Sequence, residues 1–264
     1  MKSELTLQNT RERSTLGQLL DPLHPVIGLQ DRMWAGLELS AHAHPRGQLA
    51  YASEGILKIF TPHGSWVVPP NQAVWIPGEM KHAVNAQVTA EIRHLFIDPS
   101  RLNSLPKECS VVEVSPLLRE LIQRVADFGI NYEEGTPASR ICAVILDELQ
   151  ALKPSLLHLP GANDRRLQRV MQAMMDAPNA EQGLAYWSTQ VGASERTISR
   201  LFSKETGMSF QQWKKQLLLQ EAVDRLAKGD SVLDVALELG YRSPSAFVSM
   251  FRKALGKTPG QYFK

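Results

Sequence analysis

From Val26 to Ile97 the apolar residues come in short runs broken by glycine and proline, and the runs are rich in β-branched and aromatic side chains. Ile56–Phe60, Trp66–Val68, Ala73–Ile76 and Ile92–Ile97 each read as a strand, with Thr61-Pro62-His63-Gly64 as a hairpin turn between two of them. Many short strands at this spacing predict a small barrel or sandwich. The period then changes. Ser115–Phe128 and Pro137–Leu152 have helical spacing, and each opens on a cap followed by proline, Ser115-Pro116 and Thr136-Pro137. In the second, Ile141, Val144, Ile145, Leu149 and Leu152 form an apolar stripe that suits either a second copy of the chain or its own barrel. A connector rich in proline follows, and everything after Asp164 is helical in period. The pattern predicts an α+β chain in three parts. Residues 1–153 form a front domain with a β-barrel over about 26–97 and helices over about 115–152. Residues 154–163 form a linker, and residues 164–264 an all-α domain.

The all-α part contains a repeat. Ser188-x-x-x-Gly192 leads into Ser194-Glu195-Arg196-Thr197-Ile198-Ser199-Arg200-Leu201-Phe202, and Ala236-x-x-x-Gly240 leads into Ser243-Pro244-Ser245-Ala246-Phe247-Val248-Ser249-Met250-Phe251. A small residue four before a glycine lets two helices meet closely at a tight turn, and the serine caps the next helix. Each copy reaches a second glycine, Gly207 or Gly256, and an aromatic beyond it, Trp213 or Tyr262. After Ser194, the residues Ile198, Leu201 and Phe202 share one helix face, leaving Glu195, Arg196, Ser199, Arg200 and Ser203 on the other. One face packs while arginines and short polar groups stand free, which is what reading base edges in a major groove requires. The second copy exposes Ser245, Ser249, Arg252 and Lys253, with Arg242 just before its cap. It is poorer in base-reading groups and suits phosphate contacts. Phe210–Ala227 predicts one helix of about 27 Å between the copies, a spacer that could set two readers one DNA turn apart.

With Gly240-Tyr241-Arg242-Ser243-Pro244-Ser245-Ala246-Phe247, Phe251-Arg252-Lys253-Ala254-Leu255-Gly256, Lys257-Thr258-Pro259-Gly260-Gln261-Tyr262 and the upstream copy, the last hundred residues resemble the AraC/XylS family of bacterial transcription regulators. The resemblance implies a seven-helix domain with two helix-turn-helix units on promoter DNA. The candidate DNA contacts are Ser194, Glu195, Arg196, Ser199, Arg200, Arg242, Ser243, Ser245 and Ser249. Lys214, Lys215 and Lys228 are expected on a solvated face.

The front domain carries Gly36-x5-His42-x-His44-x3-Gln48-x6-Gly55 and later Pro77-x4-His82. These resemble the two motifs of the cupin barrel, in which two histidines, a glutamate and a further histidine converge on a divalent metal. His42 and His44 share a face if they lie on one strand and supply imidazole donors. Gln48 stands where cupins place a carboxylate, and Glu79 where the second motif has glycine. The candidate effector pocket comprises His42, His44, Gln48, Tyr51, Trp75 and His82. The three histidines are candidate ligands of a divalent metal such as zinc or nickel, although histidines of an ordinary barrel wall would look the same. Such front domains imply a small-molecule effector and a homodimer.

Charge agrees with this division. The chain is net +2, but residues 164–264 hold 15 basic against 10 acidic side chains, leaving the rest at −3. The basic half is the one suited to a polyanion. Cys109 and Cys142 form no metal or disulfide spacing. The polar start of the chain lacks a signal-type core, and no apolar run approaches a membrane span. The expectation is a cytoplasmic, effector-controlled regulator of promoter DNA, with RNA polymerase as a further partner and no catalytic residues. The competing reading is a metal-dependent cupin enzyme with a helical appendage.

Overall fold

The computed structural model of the chain describes residues 15–70, 72–86, 88–152, 158–179 and 181–262. Residues 154–157 of the expected linker lie outside these. There are two compact units, one running to Thr61 and from Trp66 to Ser155, the other of Pro62–Ser65 with Leu156–Lys264.

The first unit is built on β1 (Val26–Met33), β2 (Leu37–His42), β3 (Gly47–Glu54), β4 (Leu57–Thr61), β5 (Gly64–Val68), β6 (Gln72–Ile76), β7 (His82–Ala86), β8 (Ala90–Ile97) and β9 (Ser110–Glu113). One sheet has the order β1-β8-β3-β6-β9, and a second carries β5-β4-β7-β2. The pair is barrel-like but not closed. β9 extends the first sheet beyond the expected barrel by pairing with β6, Trp75 opposite Ser110. Four residues, Ser-Val-Val-Glu, are too few for alternation to mark a strand.

Alternation along β3 divides two environments. Leu49 and Tyr51 join Trp75, Leu95 and Ile97 in one apolar cluster, which is covered by α1 (Pro116–Phe128) and α2 (Pro137–Gln150). Gln48, one step out of phase, faces the other way. Both helices start where their side chains can satisfy free backbone donors. Ser115 accepts from the Leu118 N–H and Thr136 from the Ser139 N–H, each followed by proline in the first turn. Leu118, Ile122 and Val125 of α1 and Cys142, Ile145 and Leu149 of α2 are buried on the sheet. Of the apolar stripe on α2, Ile145 and Leu149 are therefore used by the chain's own unit, and Val144 remains 42% exposed. Helix α1 approaches β1 so closely that a Cβ on Gly28 would stand 2.3 Å from the Val125 carbonyl oxygen. Tyr132 fastens the same edge, its hydroxyl donating to the Val26 carbonyl at 2.8 Å and accepting from the Val26 N–H at 3.3 Å.

A buried arginine ties the start of the described chain to this unit. Arg46, fully inaccessible, donates to the carbonyls of Leu19 (2.6 Å), His24 (3.0 Å), Asp21 (3.1 Å) and Phe96 (3.3 Å) and pairs with Asp98 at 3.2 Å. A guanidinium offers five donors in a fixed plane, so this one side chain gathers a loop that has no sheet of its own.

The second unit comprises β10 (His158–Pro160), α3 (Arg165–Asp176), α4 (Leu184–Gln190), α5 (Glu195–Thr206), α6 (Phe210–Ala227), α7 (Val232–Glu238), α8 (Pro244–Leu255) and α9 (Pro259–Tyr262). Leu159 is buried among Leu167, Val170, Trp187, Phe202 and Trp213. The Trp213 indole donates to the Pro160 carbonyl at 2.8 Å. This part of the expected linker is thus a fixed element of the helical unit. Helix α6 is buried on several sides, and Lys214 is among its buried residues, donating to the Gln182 carbonyl at 2.8 Å. The expectation of a solvated Lys214 is corrected: its side chain is buried, and the ammonium that donates to Gln182 stands 5.5 Å from the centre of the Phe210 ring.

Candidate nucleic-acid interface and effector site

The two repeat copies fold alike down to single hydrogen bonds. Helix α4 ends at a turn with Gly192 at φ 64°, and α7 ends at one with Gly240 at φ 76°. In the first turn the Ala193 N–H donates to the Ser188 carbonyl at 3.0 Å; in the second the Tyr241 N–H donates to the Ala236 carbonyl at 2.9 Å. Both are the six-to-one bond of a helix stop that needs a left-handed residue, which glycine adopts without steric cost. The small Ser188 and Ala236, both buried, stand where the next helix passes. Ser194 then caps α5 by accepting from the Thr197 N–H, and Ser243 caps α8 by accepting from the Ala246 N–H. Each helix ends at a second left-handed glycine, Gly207 or Gly256.

Burial separates two faces on each reading helix. Ile198, Leu201 and Phe202 of α5 are buried, with the Phe202 ring 5.5 Å from Phe210 and 5.6 Å from Trp213. Ser194, Glu195, Arg196, Arg200, Ser203 and Lys204 are exposed, and Ser199 is half-buried. Among the described residues neither Arg196 nor Arg200 is held by an ion pair or hydrogen bond, so both guanidinium forks are free to take one. Phe247 and Phe251 anchor α8, while Arg242, Ser245, Ser249, Arg252 and Lys253 are exposed. The hydroxyls of Ser194 and Ser243 are engaged as caps, which makes them positioning groups. Ser245 lies 3.1 Å from the Ser243 hydroxyl.

The second polar concentration lies between the two sheets of the first unit. His42 ends β2 opposite His82, which begins β7. His44 follows in the β2–β3 connection, and Gln48 comes from β3 of the other sheet. One ring nitrogen from each of His42, His44 and His82 lies within 4.8 Å of the others. The rings nearly touch, with centroids 4.4 Å apart for His42 and His82 and 5.2 Å for His44 and His82. Each Nδ1 meets a backbone carbonyl: His42 that of Ser40 at 2.9 Å, His44 that of Arg46 at 2.7 Å, and His82 that of Met80 at 2.8 Å. A carbonyl only accepts, so each Nδ1 carries a proton, and in a neutral ring that leaves the lone pair on Nε2. Burial pushes the His44 and His82 imidazoles down, His82 to about 4, so both are neutral near pH 7. The turn at Thr15–Gln18 covers His44 so closely that a Cβ on Gly17 would stand 2.7 Å from the imidazole.

Two buried residues not anticipated from the sequence extend this cluster. Gln48 lies 3.0 Å through Oε1 from His44 Nε2 and 2.8 Å through Nε2 from His94 Nδ1, and His94 Nε2 lies 3.6 Å from Asp31 Oδ2. The signal was present in phase: Ile92-x-His94-x-Phe96 puts a histidine among inward-facing apolar positions of β8. Tyr51 and Trp75 require a correction. Both belong to the helix-covered cluster on the opposite face from Gln48, and the Trp75 indole donates to the Pro106 carbonyl at 2.7 Å. An odd number of residues from Gln48 puts Tyr51 on the other side of its strand, and Trp75 pairs in register with Leu49. Glu79 takes a left-handed conformation, φ 62°, where the cupin motif has glycine. The Cys109 thiol is pushed up to about 12 by burial and Cys142 is likewise raised, so neither is a nucleophile. No helix among the described residues is long and apolar enough to cross a membrane.

Comparison with known proteins bears on both sites. A family model described as a helix-turn-helix domain matches residues 187–264. The HTH-type transcriptional regulator NimR of Escherichia coli is 39% identical over 221 residues, covering 84% of this chain and 81% of that protein. The thermoregulatory protein LcrF of Yersinia pestis is 26% identical over 250 residues, 88% of each chain. Among solved structures, ToxT from Vibrio cholerae aligns over 90% of this chain and 98% of its own at 10% identity with a TM-score of 0.39, too distant a likeness to carry its ligands over.

Proposed function

Because the chain belongs to the AraC/XylS family of transcription regulators, we propose that it binds specific promoter DNA through α5 and α8 under the control of a small molecule held between the sheets of its first unit. The observation that carries the reading is the matched construction of the two helix-turn-helix units. Each has a glycine stop, a serine cap, a buried aromatic anchor and a polar outer face. On α5, Arg196 and Arg200 read base edges, with Glu195 and Ser199 beside them. On α8, Arg242, Ser245 and Ser249 hold the second groove chiefly through phosphates, and Ser194 and Ser243 position the helix starts. The effector meets the half-buried His42 and the buried His44, Gln48 and His82, polar groups that converge between the sheets. The chain works without catalysis, in the cytoplasm. As a homodimer it would pair through the outward faces of α1 and α2, where Leu117 and Val144 stay exposed. RNA polymerase is its partner at the promoter.

The test is fluorescence anisotropy of the purified full chain on DNA from upstream of its own gene, against a scrambled duplex, at two salt concentrations. The expected result is selective binding with a salt-dependent affinity. Equal affinity for both duplexes would refute the reading.

A further inference from the structure

Arg93 occupies a position where the fold calls for an apolar side chain. Along β8 it shares a face with Leu95 and Ile97, the face that α1 and α2 cover. Its register neighbours are Tyr51 on β3 and Gln30 on β1. The side chain is half-buried, and its Nη1 is sealed from solvent without a hydrogen-bond partner. A guanidinium stays protonated in a protein, so this charge cannot be shed. Leaving a buried charged donor unanswered is costly. The acidic residue on the same face, Glu91, is already paired with Arg32 at 2.9 Å.

A second positive charge comes to the same place from the helix. α1 packs on β1 and β8, burying Leu118, Ile122 and Val125. Arg119, one position beyond Leu118, lies on the flank of that buried stripe, with Gln123 one turn further along. The Tyr51 phenol, 1% exposed, registers both arginines. Burial pushes it up, Arg119 and Arg93 pull it down, and Glu120 pushes it up again. Arg119 meets Glu120 at 3.4 Å, but the two side chains are 42% and 68% exposed, and such a contact is weak in water. Two guanidinium groups therefore converge around Tyr51 with no buried carboxylate between them among the described residues. We propose that Arg93 and Arg119 bind a small oxyanion, a carboxylate or phosphate group, where the flank of α1 meets β1 and β8.

The chemistry of the surroundings fits that ligand. A guanidinium presents paired N–H donors that match two oxygens of a carboxylate or phosphate. A water molecule would answer Nη1 and leave two like charges side by side, whereas an anion answers both. Gln30 shares the face of Arg93, and Gln123 the flank of Arg119. Neither amide makes a hydrogen bond among the described residues, so both can donate to further oxygens of the same molecule. Tyr51 and Gln48 lie on opposite faces of β3, so this site is separate from the histidines and leaves the effector reading untouched. An anion held by helix and sheet together fastens α1 to the strands, and binding only the folded unit stabilises it.

The experiment uses the purified full chain dialysed into chloride buffer, with inorganic phosphate and succinate as separate probes at matched ionic strength. The expected result is one saturable equivalent per chain by isothermal titration and a melting temperature above that in chloride. Response to phosphate alone assigns a phosphate group, and response to succinate alone a carboxylate. Response to both supports the site for either group. Arg93→Met should weaken binding about tenfold or more, and Arg119→Met should weaken it less, its side chain being more exposed. Lys107→Met, which removes an exposed charge elsewhere on the unit, should leave it unchanged. In chloride alone Arg93→Met should melt no lower than wild type, because it removes a donor that nothing answers; an arginine serving the fold would show a fall. Arg93→Lys keeps the charge without the fork and should bind more weakly than wild type. Phosphate and succinate acting no differently from chloride, affinity that survives Arg93→Met, or a loss matched by Lys107→Met would overturn the assignment. No DNA is present in any arm, so failure of promoter binding would refute only the regulatory reading.

Discussion

The turn at Gly192 allows a backbone effect to be isolated from packing. Its φ is 64°, and a Cβ built there meets nothing within 4 Å. Alanine at this position therefore keeps every contact and pays only for left-handed geometry, about 1–2 kcal/mol. Alanine also stiffens the unfolded chain, which offsets about 0.4–1 kcal/mol. The net expectation is a loss of about 1 kcal/mol, or a fall of about 4–8 °C in the melting temperature of the helical unit. Gly192→Asn should lose less, because asparagine visits this region more readily. Urea unfolding followed by far-ultraviolet circular dichroism measures all three proteins. At 25 °C DNA affinity should stay within about twofold, since a loss of this size leaves the folded state dominant. Gly28→Ala is the contrasting control: its cost is collision with the Val125 carbonyl, and it should exceed that of Gly192→Ala. An alanine variant as stable as wild type, or less stable with asparagine than with alanine, would show that the turn is not held in the left-handed form.

Three further outcomes follow from the structure. Arg200→Ala should cost about 1–3 kcal/mol on the specific duplex and much less on scrambled DNA; equal losses on both in a binding titration would make it a phosphate contact. Arg46→Met leaves Asp98 buried without its partner and should destabilise the first unit by about 3–5 kcal/mol in urea, with part of the loss recovered in the double variant with Asp98→Asn. Tyr132→Phe removes the hydroxyl that both donates to and accepts from Val26 and should cost about 1–3 kcal/mol by the same measurement.

The helical unit was largely legible in the sequence because its determinants are local. Caps, glycine stops and the spacing of Ile198, Leu201 and Phe202 all lie within one turn or two of the helix they define. The front unit was legible in its strands and much less so in its interior. Alternation indicates which residues share a face, but β3 is buried on both faces, so hydropathy could not say which face held the histidines. Tyr51 and Trp75 are close to the histidines in sequence, but their side chains lie under the helices. His94 and Asp31 were missed for the complementary reason. Their role arises only when β1, β8 and β3 stand side by side, and no spacing in the chain records that adjacency. Lys214 resembled a surface charge because its burial depends on the Gln182 carbonyl, 32 positions away.

Helix α6 is gripped from both ends. Phe210 and Trp213 lie in the aromatic cluster of the first helix-turn-helix, and Arg225 near its far end pairs with Glu238 of the second. A strut clamped in this way sets a fixed interval, and an operator has to conform to it. One base pair inserted between the two recognised segments would shift the second by about 3.4 Å and a tenth of a turn, and the protein has no slack to follow. Promoters of this regulator should accordingly tolerate changes of base within that gap far better than any change in its length.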